Sequence, residues 1–145
     1  MKTRSNRLYI DPETKKYYSD IKRKYDNLKL SNSDLFSLAL SMGYYYGVKK
    51  PLNRKVAYIR YETITQDLLT IIDLLAINEF GGDNPDLFDD PILGFDLAEE
   101  YANAGIKILV EKIYDSNEHL DLFLFKAISE LYDGIDFEKL KNSFK

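Results

Sequence analysis

The sequence has no cysteine, and it contains a single histidine among 145 residues. Without cysteine there is neither a disulfide framework nor a thiolate metal site, which agrees with a reducing compartment. No apolar run approaches the roughly 18 to 20 uncharged residues that span a bilayer, and no apolar segment follows the basic residues of the amino terminus. We therefore expect a soluble, cytoplasmic protein that forms one domain over residues 1–145.

The residue patterns of familiar catalytic sites are also sparse. His119 lies beside Glu118 and Asp121 with no serine motif nearby, so we interpret it as a residue on the surface of a helix. The glycine pair at 81–82 lacks both the Lys-Ser/Thr ending of a P-loop and a preceding strand. The acidic loop at 83–94 does not have the spacing of a calcium-binding loop. The sequence thus predicts a non-enzyme with no catalytic residue, no metal site and no cofactor.

The hydrophobic pattern predicts a mainly α-helical domain of about five to six helices with a short β element near the amino end. The segments 8–10 and 56–61 favour strands, because they alternate or are rich in β-branched and aromatic residues. Start and stop signals predict helices after Asp11-Pro12, after Ser31 or Ser33, from Thr65 to Gly81, from near Asp96, over about 118–132, and from Asp136 to Phe144.

Two of these helices carry marks of close packing. The second, over 35–42, is apolar nearly all round, so we expect it to be buried on several sides. Gly43 or Gly47 can end it, and Pro51 bars its continuation. Small residues between positions 102 and 105 of the fourth helix allow a neighbouring helix to approach closely.

The two halves of the chain have opposite net charge. Residues 1–60 carry 14 Lys and Arg against 5 Asp and Glu, a net of +9, and residues 61–145 carry 6 against 19, a net of −13. Such an asymmetry indicates nucleic-acid contact by the basic half and a basic partner for the acidic half. The alternative, equally open, is that the two halves neutralise each other inside one fold.

The basic half supplies the candidate nucleic-acid-binding residues. They flank the first strand, lie on the first helix and follow the second helix: Arg4, Arg7, Lys15, Lys22, Arg23, Lys49, Lys50, Arg54 and Lys55. A strand, a basic helix and an apolar helix in this order have the outline of half a ribbon-helix-helix protein, in which the strands of two chains pair. Ser5, Arg7 and Tyr9 would then face the base edges. A dimeric transcription regulator therefore stays open as an alternative.

Three consecutive tyrosines end the second helix and precede a basic turn. Tyr44, Tyr45 and Tyr46 with the lysines after them suggest a platform for single-stranded nucleic acid. Adjacent helical residues point about 100° apart, however, so the three rings cannot form one stacking surface. We predict that two of them pack within the fold and leave the third open. All three are assigned to a partner interface, where tyrosine is enriched.

Three segments, in order along the chain, resemble a small prokaryotic family called DNA phosphorothioation-associated protein 4. They are SDLFSLALSMGYYYGVKKPL at 33–52, LLAINEFGGD at 74–83 and EEYANAGIKIL at 99–109. The resemblance implies a protein encoded beside gene clusters that replace a backbone phosphate oxygen of DNA with sulfur, or that restrict DNA lacking this mark. The shared residues are apolar, aromatic or glycine, so the resemblance implies an accessory role and carries over no catalytic residue.

These observations together predict an accessory, non-catalytic subunit of a phosphorothioation-linked modification or restriction system. Its basic half would bind DNA or a DNA-bound partner, and its acidic half would dock on a basic surface of another subunit. A homodimer is a further possible partner arrangement, and no membrane contact is expected. A protein adaptor whose lysines contact solvent alone is the second alternative.

Overall fold

The computed structural model describes residues 7–81 and 93–115, and this part of the chain is mainly helical. It contains the helices α1 (Lys15–Lys24), α2 (Asn32–Tyr45), α3 (Gln66–Phe80) and α4 (Leu93–Asp115), and the strands β1 (Leu8–Ile10) and β2 (Val56–Ile59). The predicted class, helical with an amino-terminal β element, is confirmed. These residues contain four α-helices, rather than the five to six predicted for the whole chain, and they correspond to the first four predicted helices. The helices predicted at 118–132 and 136–144 lie outside the described residues.

Polar side chains begin the helices where the sequence predicted. Asp11 caps a short 3₁₀ turn, Pro12–Thr14, that runs directly into α1. The Ser31 hydroxyl accepts from the Asp34 amide and the Asp34 carboxylate accepts from the Ser31 amide, which is a capping box. Thr65 caps α3 by accepting an amide of its first turn. Each cap satisfies amide groups that a helix start otherwise leaves without partners.

Gly47 ends α2 in a left-handed conformation with φ at 67°. The Val48 amide donates to the Gly43 carbonyl at 2.9 Å, and the Gly47 amide donates to the Tyr44 carbonyl at 3.1 Å. This pair of bonds is a Schellman motif, which glycine adopts at little conformational cost. Of the two glycines predicted to stop the helix, Gly47 does so, and Gly43 lies inside the last turns of α2.

The backbones of α2 and α4 come into direct contact where both helices lack a side chain. A Cβ added at Gly105 would lie 1.7 Å from the Ala39 carbonyl oxygen. A Cβ added at Gly43 would lie 2.1 Å from the Tyr101 carbonyl oxygen. No residue larger than glycine fits at these two positions unless the helices separate. The close approach predicted at 102–105 is therefore confirmed at Gly105.

The hydrophobic core lies between α2 and α4 and extends to α1, α3 and the sheet. As predicted, α2 is buried on several sides, and the residues it buries are Ser33, Leu35, Phe36, Ala39, Leu40, Met42 and Gly43. The apolar residues that α4 buries include Phe95, Leu97, Ala98, Tyr101, Ala102, Ile106, Leu109 and Ile113. No helix within 7–81 and 93–115 is long and apolar enough to cross a membrane.

The two strands pair within the chain, and α4 engages the first of them. β1 and β2 are antiparallel, with Leu8 opposite Ile59, Tyr9 opposite Ala57 and an irregularity between Leu8 and Tyr9. The Tyr9 amide donates to Oε2 of Glu99 in α4 at 2.8 Å. A ribbon-helix-helix dimer instead pairs the strands of two chains. The structure differs from that alternative, because β1 already pairs with β2 and the Tyr9 amide is bonded to α4.

Two tyrosine rings pack together between α1 and β2. The ring centroids of Tyr18 and Tyr58 are 4.7 Å apart, and Tyr18 is 1% exposed. Neither hydroxyl has a hydrogen-bond partner in the part of the chain that the structure describes. Burial raises the pKa of both hydroxyls above the ordinary value of 10.0. Both hydroxyls therefore ionise only at a higher pH than a tyrosine in water.

We expect Gly105→Ala to destabilise the protein by about 2–4 kcal/mol, because the new methyl group would force α2 and α4 apart. Gly47→Ala is the matched control, since an added Cβ there meets nothing within 4 Å and carries only the strain of φ at 67°. That strain amounts to about 1 kcal/mol. Urea unfolding of both variants measures the difference, and equal losses would contradict the direct backbone contact.

Asp11 predicts a dependence of stability on pH. Its carboxylate accepts from the amides of Glu13 at 3.0 Å and Asn53 at 2.8 Å. The hydrogen bond from the Glu13 amide is the main cause that lowers the pKa of Asp11 from 3.8, and the bond from the Asn53 amide lowers it further. Because the folded pKa is lowered, the stabilisation is present above about pH 4 and is lost as the pH falls through the folded pKa.

We therefore expect Asp11→Ala to cost about 1–3 kcal/mol at pH 7. Asp11→Asn should also flatten the loss of stability below about pH 4, since this variant has no charge to lose on acidification. Urea unfolding from pH 7 down to acid measures both effects. If stability falls below about pH 4 as steeply in Asp11→Asn as in the unaltered protein, Asp11 does not contribute to this loss.

Candidate nucleic-acid and partner interfaces

The structure describes eight of the nine predicted nucleic-acid-binding residues, and Arg4 lies outside the described residues. Seven are exposed and one, Lys22, is half-buried: Arg7, Lys15, Lys22, Arg23, Lys49, Lys50, Arg54 and Lys55. Exposure alone does not make them equivalent. Some are engaged by carboxylates or amide oxygens of the fold, so their charges are not equally available to a ligand.

Helix α1 presents a row of cations to solvent. Its buried side consists of Tyr18 and Ile21, and the helical spacing of about 100° puts Lys16 and Arg23, seven residues apart, on the opposite side, with Lys15 at the edge of that side. We call these three residues the basic face of α1. Among the described residues, no carboxylate lies within ion-pair distance of Lys15 or Lys16. Their charges are therefore available to a ligand.

Two of the cations of α1, Lys22 and Arg23, contact polar groups of the fold. Nζ of Lys22 donates to Oδ1 of Asn32, the first residue of α2. Arg23 pairs with Asp20 at 3.0 Å, although its side chain is 78% exposed. An exposed pair of this kind contributes little to stability and leaves the guanidinium accessible. Lys22 thus links α1 to α2, whereas Arg23 can still meet a phosphate.

Lys55 is held by acidic side chains of α4. Its Nζ lies 3.3 Å from Oδ1 of Asp96 and 3.4 Å from Oε1 of Glu99. The Glu99 side chain is 1% exposed, and its second oxygen accepts from the Tyr9 amide. A buried carboxylate needs such partners, because it has lost its hydration. Lys55 therefore helps to neutralise the acidic half of the chain, and less of its charge remains for DNA.

Lys49 lies in a polar cluster where the ends of α2 and α3 meet α4. Its Nζ is 3.1 Å from Oε1 of Glu79 and 5.7 Å from the centroid of the Tyr101 ring. The Tyr101 hydroxyl donates to Oε2 of Glu79 at 3.5 Å. The hydrogen bond to Glu79 raises the pKa of Lys49. Burial, assisted by Glu79, raises the pKa of the Tyr101 hydroxyl.

Tyr44 completes this cluster, and the two tyrosines after it do not join it. The Tyr44 hydroxyl accepts from Asn78, and its ring meets the Tyr101 ring edge-on at 5.7 Å. Tyr45 and Tyr46 are 38% and 40% exposed, and their ring centroids are 5.0 Å apart. The prediction that two of the three tyrosines pack is wrong. Tyr44 alone follows the buried side of α2, and its neighbours diverge by about 100° each.

Lys50 and Arg54 lie in the loop between α2 and β2, and both are exposed. Neither has an ion-pair partner in the segments 7–81 and 93–115. The loop backbone is nevertheless fixed, because the Lys50 amide donates to the Glu100 carbonyl at 3.0 Å. The Asn103 side chain donates to the Lys50 carbonyl at 3.1 Å. These two cations are therefore unpaired on a well-anchored loop.

Sequence reasoning missed Glu99 and Asn103, which anchor β1 and the loop between α2 and β2. Both are polar residues that lie on the buried stripe of α4, with exposed fractions of 2% and 5%. Their position among the apolar residues of α4 is the feature of the sequence that could have identified them, since a buried polar group requires a specific partner. In the described part of the chain, no three His, Asp or Glu side chains are grouped so that they could bind a metal ion.

The comparison with protein families matches one family model to most of the chain. The model described as DNA sulphur modification system-associated protein 4 matches residues 29–139. This range contains α2, β2, α3 and α4, with the Tyr44 cluster and the loop of Lys50 and Arg54, whereas β1 and α1 precede it. No curated protein and no solved structure matches the chain.

The different environments of Lys55 and Lys50 predict different costs of substitution. We expect Lys55→Met to destabilise the protein by about 1–3 kcal/mol, because it removes the ammonium that faces the buried Glu99 carboxylate. Lys50→Met is the matched control and should change stability by less than about 0.5 kcal/mol. Thermal or urea unfolding measures both, and a loss for Lys50→Met as large as that for Lys55→Met would contradict these roles.

Proposed function

The chain belongs to the DNA sulphur modification system-associated protein 4 family, and from this we propose that it is an accessory, non-catalytic subunit. We further propose that it binds DNA through α1. Membership associates the chain with a DNA sulphur modification system. It leaves open what the chain contributes to that system. The basic face of α1 supports a contact with the DNA backbone, either directly or where DNA is already held by a partner.

The observation that carries this proposal is the exposure of Lys16 and Arg23 on the solvent side of one helix, with Lys15 exposed at the edge of that side. Duplex DNA carries one negative charge for about every 1.7 Å of its axis, so several phosphates lie within reach of such a row. Each lysine that meets a phosphate releases a condensed counterion. The resulting affinity is independent of base sequence, as suits a protein whose task is linked to the DNA backbone.

The pairing within the fold narrows the set of residues that the proposal needs. Lys49 and Lys55 are engaged by Glu79 and Glu99, so they are not central to it. The alternative that the two halves of the chain neutralise each other holds for these two lysines. It does not extend to the basic face of α1, where the part of the chain that the structure describes supplies a carboxylate for Arg23 alone.

A non-catalytic role is supported by the structural bonds that the acidic and amide side chains of this region already make. Glu99 bonds the Tyr9 amide, and Asn103 bonds the loop carbonyl of Lys50. Glu79 bonds Lys49 and Tyr101. Each of these side chains has a structural partner, so the described residues hold them in the fold rather than direct them toward a substrate.

The test is the salt dependence of DNA binding by the purified chain. We expect Lys15→Glu with Lys16→Glu to weaken binding to a labelled duplex by about tenfold or more in fluorescence anisotropy. The slope of log K against log salt should fall by about 0.9 for each lost phosphate contact. Comparing duplexes with and without backbone sulfur shows whether the mark is sensed.

Lys107→Glu is the matched control for Lys16→Glu alone, because each variant reverses one exposed lysine and Lys107 lies in α4 on the acidic half of the chain. An equal loss in this variant would reduce the effect to net charge. Failure of the unaltered chain to bind DNA at low salt would exclude the DNA contact and favour the protein-adaptor alternative.

A further inference from the structure

The end of α2 exposes three large apolar side chains that the proposed DNA contact does not use. Tyr45, Tyr46 and Val48 are 38%, 40% and 40% exposed. They flank Gly47, where the Schellman motif turns the chain away from the helix. We call these three residues the aromatic corner. Clustered exposed apolar side chains on a soluble fold typically mark an interaction site.

The aromatic corner is held in a fixed position. On one side, Tyr44 is bonded to Asn78 and packs on Tyr101. On the other side, the Lys50 backbone is bonded to α4 through the Glu100 carbonyl. A rigid surface loses little conformational entropy when a partner binds, so each contact contributes more of its energy to affinity.

The corner is next to unpaired positive charge. No Asp or Glu occurs in the sequence between Asp34 and Glu62, whereas five cations do: Lys49, Lys50, Arg54, Lys55 and Arg60. The carboxylates that reach this loop from other elements are engaged: Glu79 by Lys49, Asp96 and Glu99 by Lys55, and Asp11 by the backbone amides of Glu13 and Asn53. Lys50 and Arg54 remain without an ion pair in the described residues. A ligand with carboxylates next to an apolar group therefore complements this surface.

The geometry of the rings disfavours a nucleic acid as the occupant. Stacking of bases needs open ring faces. The rings of Tyr45 and Tyr46 are perpendicular, at 88°, so that the edge of one meets the face of the other. Nζ of Lys112 lies 5.4 Å from the centroid of the Tyr46 ring. Two perpendicular rings in contact enclose an open angle on their outer side, which suits an aliphatic or proline side chain instead.

A second copy of the chain is also disfavoured as the occupant. Stable interfaces bury about 800 Å² on each partner. Three side chains that are each about two-fifths exposed offer much less apolar surface than that. Two copies would in addition bring Lys50 and Arg54 toward like charges, which opposes association.

We infer that the aromatic corner, with Lys50 and Arg54, is the docking site for an acidic protein segment that carries one apolar anchor residue. The apolar anchor packs against the exposed outer sides of the Tyr45 and Tyr46 rings, and its flanking carboxylates pair with Lys50 and Arg54. Tyrosine and arginine are the residue types in which interface energy concentrates. The segment belongs to another protein of the DNA sulphur modification system, and in this respect the inference rests on the proposed accessory role.

The experiment places a photo-crosslinking residue at the corner of the full chain, as Tyr45→p-benzoylphenylalanine, in its native host. After irradiation, mass spectrometry identifies what was captured. We expect a protein segment rich in Asp and Glu with an apolar residue among them. The control is the same substitution at Tyr61, which is 46% exposed and follows β2. Tyr61 is near Thr63, and the Thr63 carbonyl accepts a hydrogen bond from Ser33 at the start of α2. The start of α2 lies about 18 Å along the helix from Tyr45.

Four results would overturn the inference: capture of DNA, capture of a second copy of the chain, capture of a protein segment without carboxylates, and capture no stronger than that at Tyr61. If an acidic segment is captured, a synthetic peptide of that segment is titrated against purified variants. We expect Tyr45→Ser with Tyr46→Ser, and separately Lys50→Glu with Arg54→Glu, to weaken peptide binding by about tenfold or more. Tyr61→Ser should leave it unchanged.

Two readouts keep this inference distinct from the proposed function. We expect the variants to fold, because all the substituted side chains are exposed, and thermal unfolding checks this. Lys15→Glu with Lys16→Glu should leave peptide binding intact, because α1 is not part of the docking site. Loss of DNA binding with retained capture of an acidic segment would end the DNA proposal alone. Peptide binding that survives substitution of the aromatic corner would end the docking inference alone.

Discussion

The contact between the backbones of α2 and α4 at Gly43 and Gly105 is the constraint on which the rest of the structure depends. With no side chain between the two helices, their relative position is fixed by the backbones themselves. From this crossing, α4 extends to the Tyr9 amide through Glu99 and to the Lys50 amide through the Glu100 carbonyl. The strand, the loop after α2 and the Tyr44 cluster are thus all located with respect to one helix.

The parts of the fold that could be predicted are those governed by short stretches of backbone. The caps at Asp11, Ser31 and Thr65 and the glycine turn at Gly47 each involve neighbours within a few residues, and the structure has all of them. The strand pairing that the ribbon-helix-helix alternative requires was not predictable in this way, because it does not depend on neighbouring residues. Whether β1 pairs with β2 or with another chain depends on residues about 50 positions away.

The same distinction applies to the candidate sites. Composition and helical spacing identified the cations and the three tyrosines. They could not distinguish the cations that form ion pairs within the fold from those that do not. Lys49 meets Glu79 and Lys55 meets Glu99 across 30 and 44 residues of sequence. Such pairs form only once the helices have packed. The sequence does account for Tyr44 after the fact, because it lies four residues beyond Leu40 on the buried side of α2.

The packed rings of Tyr18 and Tyr58 provide the molecule with an internal optical probe. Because burial raises the pKa of both phenols, they resist deprotonation in alkaline solution as long as α1 stays on the sheet. Once α1 lifts away, solvent reaches both oxygens and their titration returns toward the ordinary value for tyrosine, about 10. The chain has 12 tyrosines, so the part of the tyrosinate absorbance that appears only after the exposed tyrosines have ionised would follow detachment of this helix, independently of whatever the surface binds.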